Sequence, residues 1–234
     1  MTLKRITSYF SKTEIILWCS SVLLIITSFA LFDRENFFTL AASLIGVTSL
    51  IFNAKGNPAG QALMIIFSLI YGYISYSFAY YGEMITYVGM TGPMAAFALI
   101  TWLRNPSVKG KAEVRVNRIN RKELIFSCAL TIAVTVIFYF ILKAFNTASL
   151  WLSTVSVTTS FLAVYLTFRR DPHFALAYAA NDIVLIALWT IAAIENISYI
   201  SVIICFIVFL INDVYGFMNW KKIEQRQNLL SAAT

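Results

Sequence analysis

Apolar residues collect in eight long runs, each closed by a short polar break: Ile15–Phe32, Phe37–Ala54, Gln61–Tyr81, Met84–Leu103, Leu124–Phe145, Leu150–Phe168, Phe174–Ile194 and Ser198–Trp220. Each run is close to the ~20 residues needed to cross a bilayer as a helix. Hydrocarbon offers no partner to an open N–H or C=O, so a spanning run must be helical. Strands of ~10 strictly alternating residues, the mark of a membrane barrel, do not occur. The pattern therefore predicts an all-α integral membrane protein with eight transmembrane helices. Asp33-Arg34-Glu35-Asn36, Lys55-Gly56-Asn57-Pro58 and Arg169-Arg170-Asp171-Pro172 are strong breaks. Gly82-Glu83 is the weakest, so the limits of the third and fourth spans are the least defined.

Composition sharpens this picture. The chain is 59% hydrophobic and 12% charged, about half the ~25% charge of a soluble domain. Its mean hydropathy is +0.76. An ordinary soluble enzyme, a disordered chain and a disulfide scaffold are all excluded. Cys19, Cys128 and Cys205 fall singly inside spans and read as small core residues, without disulfide or metal spacing. No cofactor is implied. The first run follows Lys4, Arg5 and Lys12 as a signal peptide would, but Ser28-Phe29-Ala30 is a poor cleavage site, so it reads as a retained span.

The net charge of +7 matters through its placement. Arg104–Glu123 carries Arg104, Lys109, Lys111, Arg115, Arg118, Arg121 and Lys122, so the positive-inside rule makes this linker cytoplasmic. Both termini are then cytoplasmic as well. All but two of the 18 basic residues, Arg34 and Lys143, fall on that side. The linker lacks the interleaved aromatics of a nucleic-acid surface, so its partner is the anionic bilayer and no nucleic acid is expected.

The linker also divides the chain. Lys55-Gly56-Asn57-Pro58 before span three and Arg169-Arg170-Asp171-Pro172 before span seven are 114 residues apart, and both run basic, Asn/Asp, Pro. Spans four and eight end alike, in Thr101-Trp102-Leu103-Arg104 and Asn219-Trp220-Lys221-Lys222. This predicts a three-helix unit over 37–103 that recurs in parallel over 150–220. The intervening segment 104–149 holds the basic linker and a connecting helix. Residues 1–36 add an N-terminal helix, and 221–234 form a cytoplasmic tail. Parallel repeats about an axis along the membrane normal are a transporter design.

Ionisable groups inside a bilayer are costly and functional by default. Asp182 and Asp213 read as the only carboxylates deep in spans, each preceded by asparagine, Asn181 and Asn212. Helical spacing puts Tyr178 and Trp189 on the Asp182 face and makes a stripe of Asn212, Tyr215 and Asn219, with Asp213 and Trp220 in a second line beside it. Span three carries Gln61, Ser68, Tyr71 and Ser75 on one face. Tyr87 and Thr91 open span four, and Gly92-Pro93 interrupts it as a hinge or a cavity lining. Amides, hydroxyls and flat aromatic faces suit a neutral or cationic aromatic solute with hydroxyls. With no basic residue deep in a span, a phosphate would find no buried partner. Trp102, Trp220, Tyr80 and Tyr81 read as interfacial anchors, Trp189 as anchor or gate, and His173 as a solvated loop residue.

Three function classes meet this pattern: a small-solute transporter, an intramembrane aspartyl protease built on Asp182 and Asp213, and a proton-coupled pump using the same pair as a relay. Neither aspartate lies in a Gly-x-Gly-Asp context, and no Pro-Ala-Leu segment occurs.

The run from Ala177 to Trp189 (AYAANDIVLIALW) and that from Phe209 to Trp220 (FLINDVYGFMNW) resemble the PnuC family of nicotinamide riboside transporters. Tyr80-Tyr81-Gly82-Glu83, followed by Thr86-Tyr87 and Gly89-Met90-Thr91, is similar to members from Gram-positive bacteria. The likeness covers spans two to eight. It implies a SWEET-like fold of 3+1+3 helices with an extra N-terminal helix, in a multi-pass protein of the bacterial cytoplasmic membrane. It also implies facilitated diffusion of an unphosphorylated vitamin precursor, trapping by a separate cytosolic kinase, and a homo-oligomer, trimeric in members of known structure. The family's substrate asparagine is matched by Asn181, and Asn212 and Tyr215 match polar positions on the last helix. The family's Trp-x-x-Trp pair, seven and four residues before that asparagine, is replaced here by Phe174 and Ala177. Related members carry thiamine, riboflavin or deoxynucleosides. The expected substrate-binding residues are thus Asn181, Asn212, Tyr215, Trp189, Tyr178, Gln61, Ser68 and Tyr71, with Asp182, Asp213, Tyr87, Asn219 and Pro93 supporting or gating.

Overall fold

A computed structural model of the chain describes residues 9–77, 81–108, 112–147 and 149–232. The expectations for Lys4, Arg5, Tyr80, Lys109 and Lys111 lie outside these residues. The helices are α1 (Lys12–Phe32), α2 (Phe37–Ala54), α3 (Ala59–Ser77), α4 (Tyr81–Arg104), α5 (Arg121–Ala144), α6 (Leu150–Arg169), α7 (Phe174–Glu195) and α8 (Ile200–Ala232), the last entered through a 3-10 turn at Ile197–Tyr199. All eight are long and apolar enough to cross a membrane.

Three boundaries differ from the sequence pattern. Tyr81, Gly82 and Glu83 form the first turn of α4 and not the end of a third span. The reason is tertiary: a methyl group at Gly82 would lie 2.6 Å from Leu142 Cδ2 and 2.7 Å from Thr147 Oγ1, so the α5–α6 turn closes directly onto this helix start. Within α4, Gly92-Pro93 does not open the helix. The Gly92 N–H reaches back to Tyr87 O, and Tyr87–Thr91 winds as a π turn that absorbs the donor missing at Pro93. Lastly, α8 does not stop at Trp220. Residues 221–232 continue the helix, with Lys221 and Glu224 paired at 2.9 Å across one turn.

Packing follows a closed circuit. α2 packs on α3, α3 on α4, α4 on α6, α6 on α7, α7 on α8, and α8 returns to α2. α1 lies outside this ring against α8 and α2, and α5 lies outside it against α6. Their apolar stretches are only 17% and 11% buried, against 39% to 56% for the six ring helices, so most of each faces away from the rest of the chain. Small residues permit the close approaches. At Gly60 an added methyl would sit 2.2 Å from Asn53 Oδ1 and 2.7 Å from the Asn53 backbone nitrogen. Gly60→Ala is therefore expected to cost ~1–3 kcal/mol and to lower the thermal midpoint of the purified protein. An unchanged midpoint would show that the α2–α3 turn can move aside.

At the end carrying the linker, the turns α2–α3 and α6–α7 are built alike. Gly56 and Arg170 both take left-handed φ, at 63° and 62°. Each turn is closed by matching bonds, Asn57 N–H to Phe52 O at 3.0 Å and Asp171 N–H to Leu166 O at 3.0 Å. The linker crosses this end as an extended strap. Val114 N–H donates to Gly56 O at 2.9 Å, Asn117 N–H donates to Arg170 O at 3.1 Å, and Ile119 N–H donates to Asp171 Oδ2 at 3.0 Å. The α8 extension holds the strap from the other side: Gln227 Oε1 accepts from Val116 N–H at 2.9 Å, Arg226 pairs with Glu113, and Arg118 pairs with Glu224 at 2.9 Å.

Trp102 and Trp220 are not interfacial anchors. Both are 0% exposed, their ring centroids are 5.4 Å apart, and Phe174 packs 5.0 Å from Trp220. Trp102 Nε1 donates to Thr167 O at 2.9 Å, and Trp220 Nε1 donates to Asn53 O at 2.7 Å. Each tryptophan thus donates to a last-turn carbonyl of the next helix in the circuit, at the end of α6 or α2. Position at a span end reads equally well as anchor or plug, and only packing separates the two.

Candidate functional site

The ring interior is layered along α7 and α8. Phe174, Trp102 and Trp220 close the linker end. One turn further, Tyr178 lies beside the Thr167 side chain. Next come Asp182 and Asp213, 4% and 5% exposed, on facing turns of α7 and α8 and near enough to interact through their side chains. Beyond them stands an aromatic layer: Tyr71 and Tyr87 are 4.5 Å apart, Phe67 lies 5.5 Å from Tyr71 and 5.9 Å from Phe209, and Phe206 lies 5.8 Å from Phe209. Trp189 follows at the far end, against Tyr199 at 5.2 Å and beside the Tyr71 hydroxyl. The acid pair is therefore held between two aromatic layers, one at each end of the ring.

Asn181 turns toward α6. Its Oδ1 accepts from Ser156 Oγ at 3.2 Å, Thr159 Oγ1 at 2.9 Å and Ser160 Oγ at 3.0 Å. The carboxamide orientation is thus fixed by three hydroxyls that sequence reading missed. The run Ser153-Thr154-Val155-Ser156-Val157-Thr158-Thr159-Ser160 was their signal, a polar stretch inside an apolar span.

The structure brings Tyr178, Asp182, Asp213, Tyr71, Tyr87 and Trp189 to one interior column. Several other expected residues face elsewhere. Asn212 donates to Ser21 Oγ of α1 at 3.0 Å and to Val208 O at 2.8 Å, so it points out of the ring. Tyr215 lies beside Ser11 and Glu14 at the foot of α1, and Asn219 donates to Ala54 O at 2.8 Å, capping α2. Their stripe has the correct helical period, but α8 shows that face to α1 and α2. The second line, Asp213 and Trp220, is the interior one. Gln61 donates to Asn53 Oδ1 at 2.8 Å and staples the α2–α3 turn. Ser68 returns its hydroxyl to Met64 O at 2.8 Å and packs against Gly92. Pro93 is exposed on the outer face of α4.

Four further acids are buried among the described residues, Glu14, Asp33, Glu83 and Asp171, all at helix ends or turns, so Asp182 and Asp213 remain the pair deep in spans. Glu14, 2% exposed, caps α1 through Ser11 and pairs with Lys55 at 3.0 Å. Glu83, 4% exposed, stands at the far end of α4. No Lys, Arg or His is buried among the described residues, and no cluster of three metal-ligating side chains occurs among them. Cys19, Cys128 and Cys205 are free thiols, of which Cys205 is buried in the core while the other two face outward.

A family model described as nicotinamide mononucleotide transporter matches residues 36–222. The chain belongs to this transporter family. The match opens at the loop before α2 and closes two residues after Trp220, so it spans the ring and leaves α1 outside. Within the family, the nicotinamide riboside transporter PnuC of Neisseria mucosa is 25% identical over 202 residues, covering 84% of this chain and 76% of its own. PnuC of Haemophilus influenzae is 22% identical over 195 residues, covering 83% of each. A crystal structure of the vitamin B3 transporter PnuC superposes with a TM-score of 0.80 over 93% of this chain and 94% of that one, at 21% identity, and so shares the fold. The protein is accordingly a multi-pass membrane protein of the PnuC transporter family.

Proposed function

We propose that the protein carries nicotinamide riboside across the bacterial cytoplasmic membrane by facilitated diffusion, with both termini and the basic linker cytoplasmic. Phosphorylation by a separate cytosolic kinase then retains the product, and the protein works as a homo-oligomer, a trimer in keeping with the family resemblance. It is not an enzyme: the acid pair serves passage, not hydrolysis. One observation carries the reading. Between the two aromatic layers the described interior offers carboxyls, hydroxyls and aromatic faces, and no buried cation. Nicotinamide riboside has a cationic pyridinium ring, a carboxamide and ribose hydroxyls, and each meets its complement there. The mononucleotide adds a phosphate, which would face Asp182, Asp213 and Glu83 without a basic partner. The riboside is therefore preferred over the mononucleotide.

In this reading Asp182 and Asp213 attract the ring, Tyr178, Tyr71, Tyr87 and Trp189 stack on it or gate it, and Asn181 bonds the substrate once released from α6. Asn212, Tyr215, Asn219, Gln61, Ser68 and Pro93 position the helices. Segments 37–103 and 150–220 act as parallel SWEET-like repeats. The paired left-handed turns and the reciprocal tryptophan bonds support that division.

The test is a thermal-shift screen of purified protein against nicotinamide riboside, its mononucleotide, thiamine, riboflavin and nucleosides, followed by uptake into proteoliposomes. A true substrate at a hundred times its Kd adds ~2.7 kcal/mol and a dose-dependent shift. A shift with thiamine or riboflavin alone would reassign the vitamin. Asn181→Ala is expected to remove uptake while the protein still inserts, and unchanged uptake would clear Asn181 of any role. A second reading, proton-coupled movement, is favoured by the Asp182–Asp213 contact. Uptake that collapses when the proton gradient is dissipated would select it.

A further inference from the structure

At the far end of the ring, opposite the strap, Glu83, Thr147, Ser149, Ser153, Leu188, Ile191, Ala192 and Glu195 line a cavity of about 250 Å³. Its inner wall carries Glu83, 4% exposed, whose Oε2 is buried without a hydrogen-bond partner. Glu195 ends α7 and is exposed at the mouth. A buried carboxylate oxygen without a donor is expensive, and a cavity beside it gives that oxygen a place to receive one. Leu188, Ile191 and Ala192 form an apolar wall, and the serine and threonine hydroxyls supply acceptors and donors along the α5–α6 turn. A water occupies ~30 Å³ of liquid, so the cavity is far larger than a bare ion requires. No third metal-ligating side chain joins the two glutamates among the described residues. The chemistry fits a flat organic cation that carries hydroxyls.

Glu83 is one helical turn before Tyr87, and Tyr87 lies 4.5 Å from Tyr71, ring to tilted ring, in the aromatic layer above Asp182 and Asp213. A cation leaving Glu83 would next meet these two aromatic faces and then the acid pair.

We propose that this cavity is an entry subsite that selects cationic aromatic ribosides, with Glu83 holding the charged ring and Glu195 attracting it at the mouth. The inference rests on the transport reading above and deepens it by naming what is selected before passage. It would favour pyridinium and thiazolium cations over neutral flavins and nucleosides.

The experiment measures binding of 1-methylnicotinamide, a pyridinium cation without ribose, and of neutral nicotinamide to the purified full chain. The wild type should bind the cation at least ~10-fold more tightly than the neutral ring. Glu83→Gln should abolish that preference, and Glu195→Gln should reduce it. Neither should change binding of nicotinamide. Equal binding of the cation by wild type and Glu83→Gln, or no preference in the wild type, overturns the proposal. Because a buried substitution can impair folding, a second measurement uses the wild type alone. Water-soluble carbodiimide should label Glu83 more slowly with 1-methylnicotinamide present and at an unchanged rate with nicotinamide. Equal protection by both overturns the proposal as well. Failure of the transport reading looks different: nicotinamide riboside would not enter proteoliposomes although the cation preference persists. Uptake without a cation preference would remove the entry subsite alone.

Discussion

Neutralising both central acids is expected to stop transport of a cationic substrate while the protein remains folded. In Asp182→Asn/Asp213→Asn the side chains keep their shape and can bond to each other, an amide donating to an amide oxygen. Only the charge and the titratable proton are lost. Leaving a buried charge without its partner costs ~3–5 kcal/mol, which corresponds to a fall of roughly 150- to 5000-fold in uptake of a pyridinium riboside. Each single Asn variant retains one carboxyl and should lose far less. A neutral nucleoside, if carried at all, should be insensitive to either change. Uptake of the cation that survives the double substitution would show that the pair ties α7 to α8 and does not touch the substrate. Both aspartates are buried, where replacing close acids by neutral groups of the same shape removes a desolvation cost, so the double variant is also expected to be at least as stable to heat as the wild type.

The second large effect concerns the tryptophan pair. Trp220→Ala removes a side chain that is 0% exposed and contacts Trp102 and Phe174. Deleting a buried tryptophan costs ~3–5 kcal/mol, and a chain of this size should lose roughly 10 °C in thermal midpoint. Trp220→Phe keeps most of the volume but removes the indole bond to Asn53 O, which keeps its bond from Gly56 N–H, at ~1 kcal/mol. Trp102→Phe likewise removes the indole bond to Thr167 O, which keeps its bond from Arg170 N–H, and should cost about as much. Calorimetry of the two Phe variants and the two Ala variants reads these values directly. An Ala variant no weaker than its Phe counterpart would mean that the rings lie loosely in the membrane interface after all.

How far the sequence spoke depended on which physical signal was involved. Hydropathy made all eight helices legible, because a bilayer imposes both length and composition on them. The recurrence of basic, Asn/Asp and Pro at the two turns pointed to backbone that proved alike at Gly56 and Arg170. Glu83 was hidden because Gly82-Glu83 looks like a loop, and only contact with Leu142 and Thr147 makes it a helix start. In the site, the period of Asn212, Tyr215 and Asn219 was readable but its direction was not. A helix with neighbours on three sides can turn a polar stripe to any of them, and α8 packs on α7, α2 and α1. Asp182, Tyr178 and Trp189 were easier to place because α7 packs mainly between α6 and α8, leaving one inner face. The hydroxyls that hold Asn181 were overlooked because serine and threonine also bond their own helix backbone and so seldom stand out in a span.

The strap across the linker end has a mechanical consequence. Val114 is tied to the turn after α2 and Asn117 to the turn after α6, three residues apart on one extended segment. Two bodies joined by a short inextensible tether cannot separate where the tether is fastened. They can only tilt about it. If α2–α4 and α6–α8 move as two bodies, the tether acts as their hinge pin, and a given tilt produces its widest displacement at the opposite rim, among Trp189, Tyr199 and Glu83.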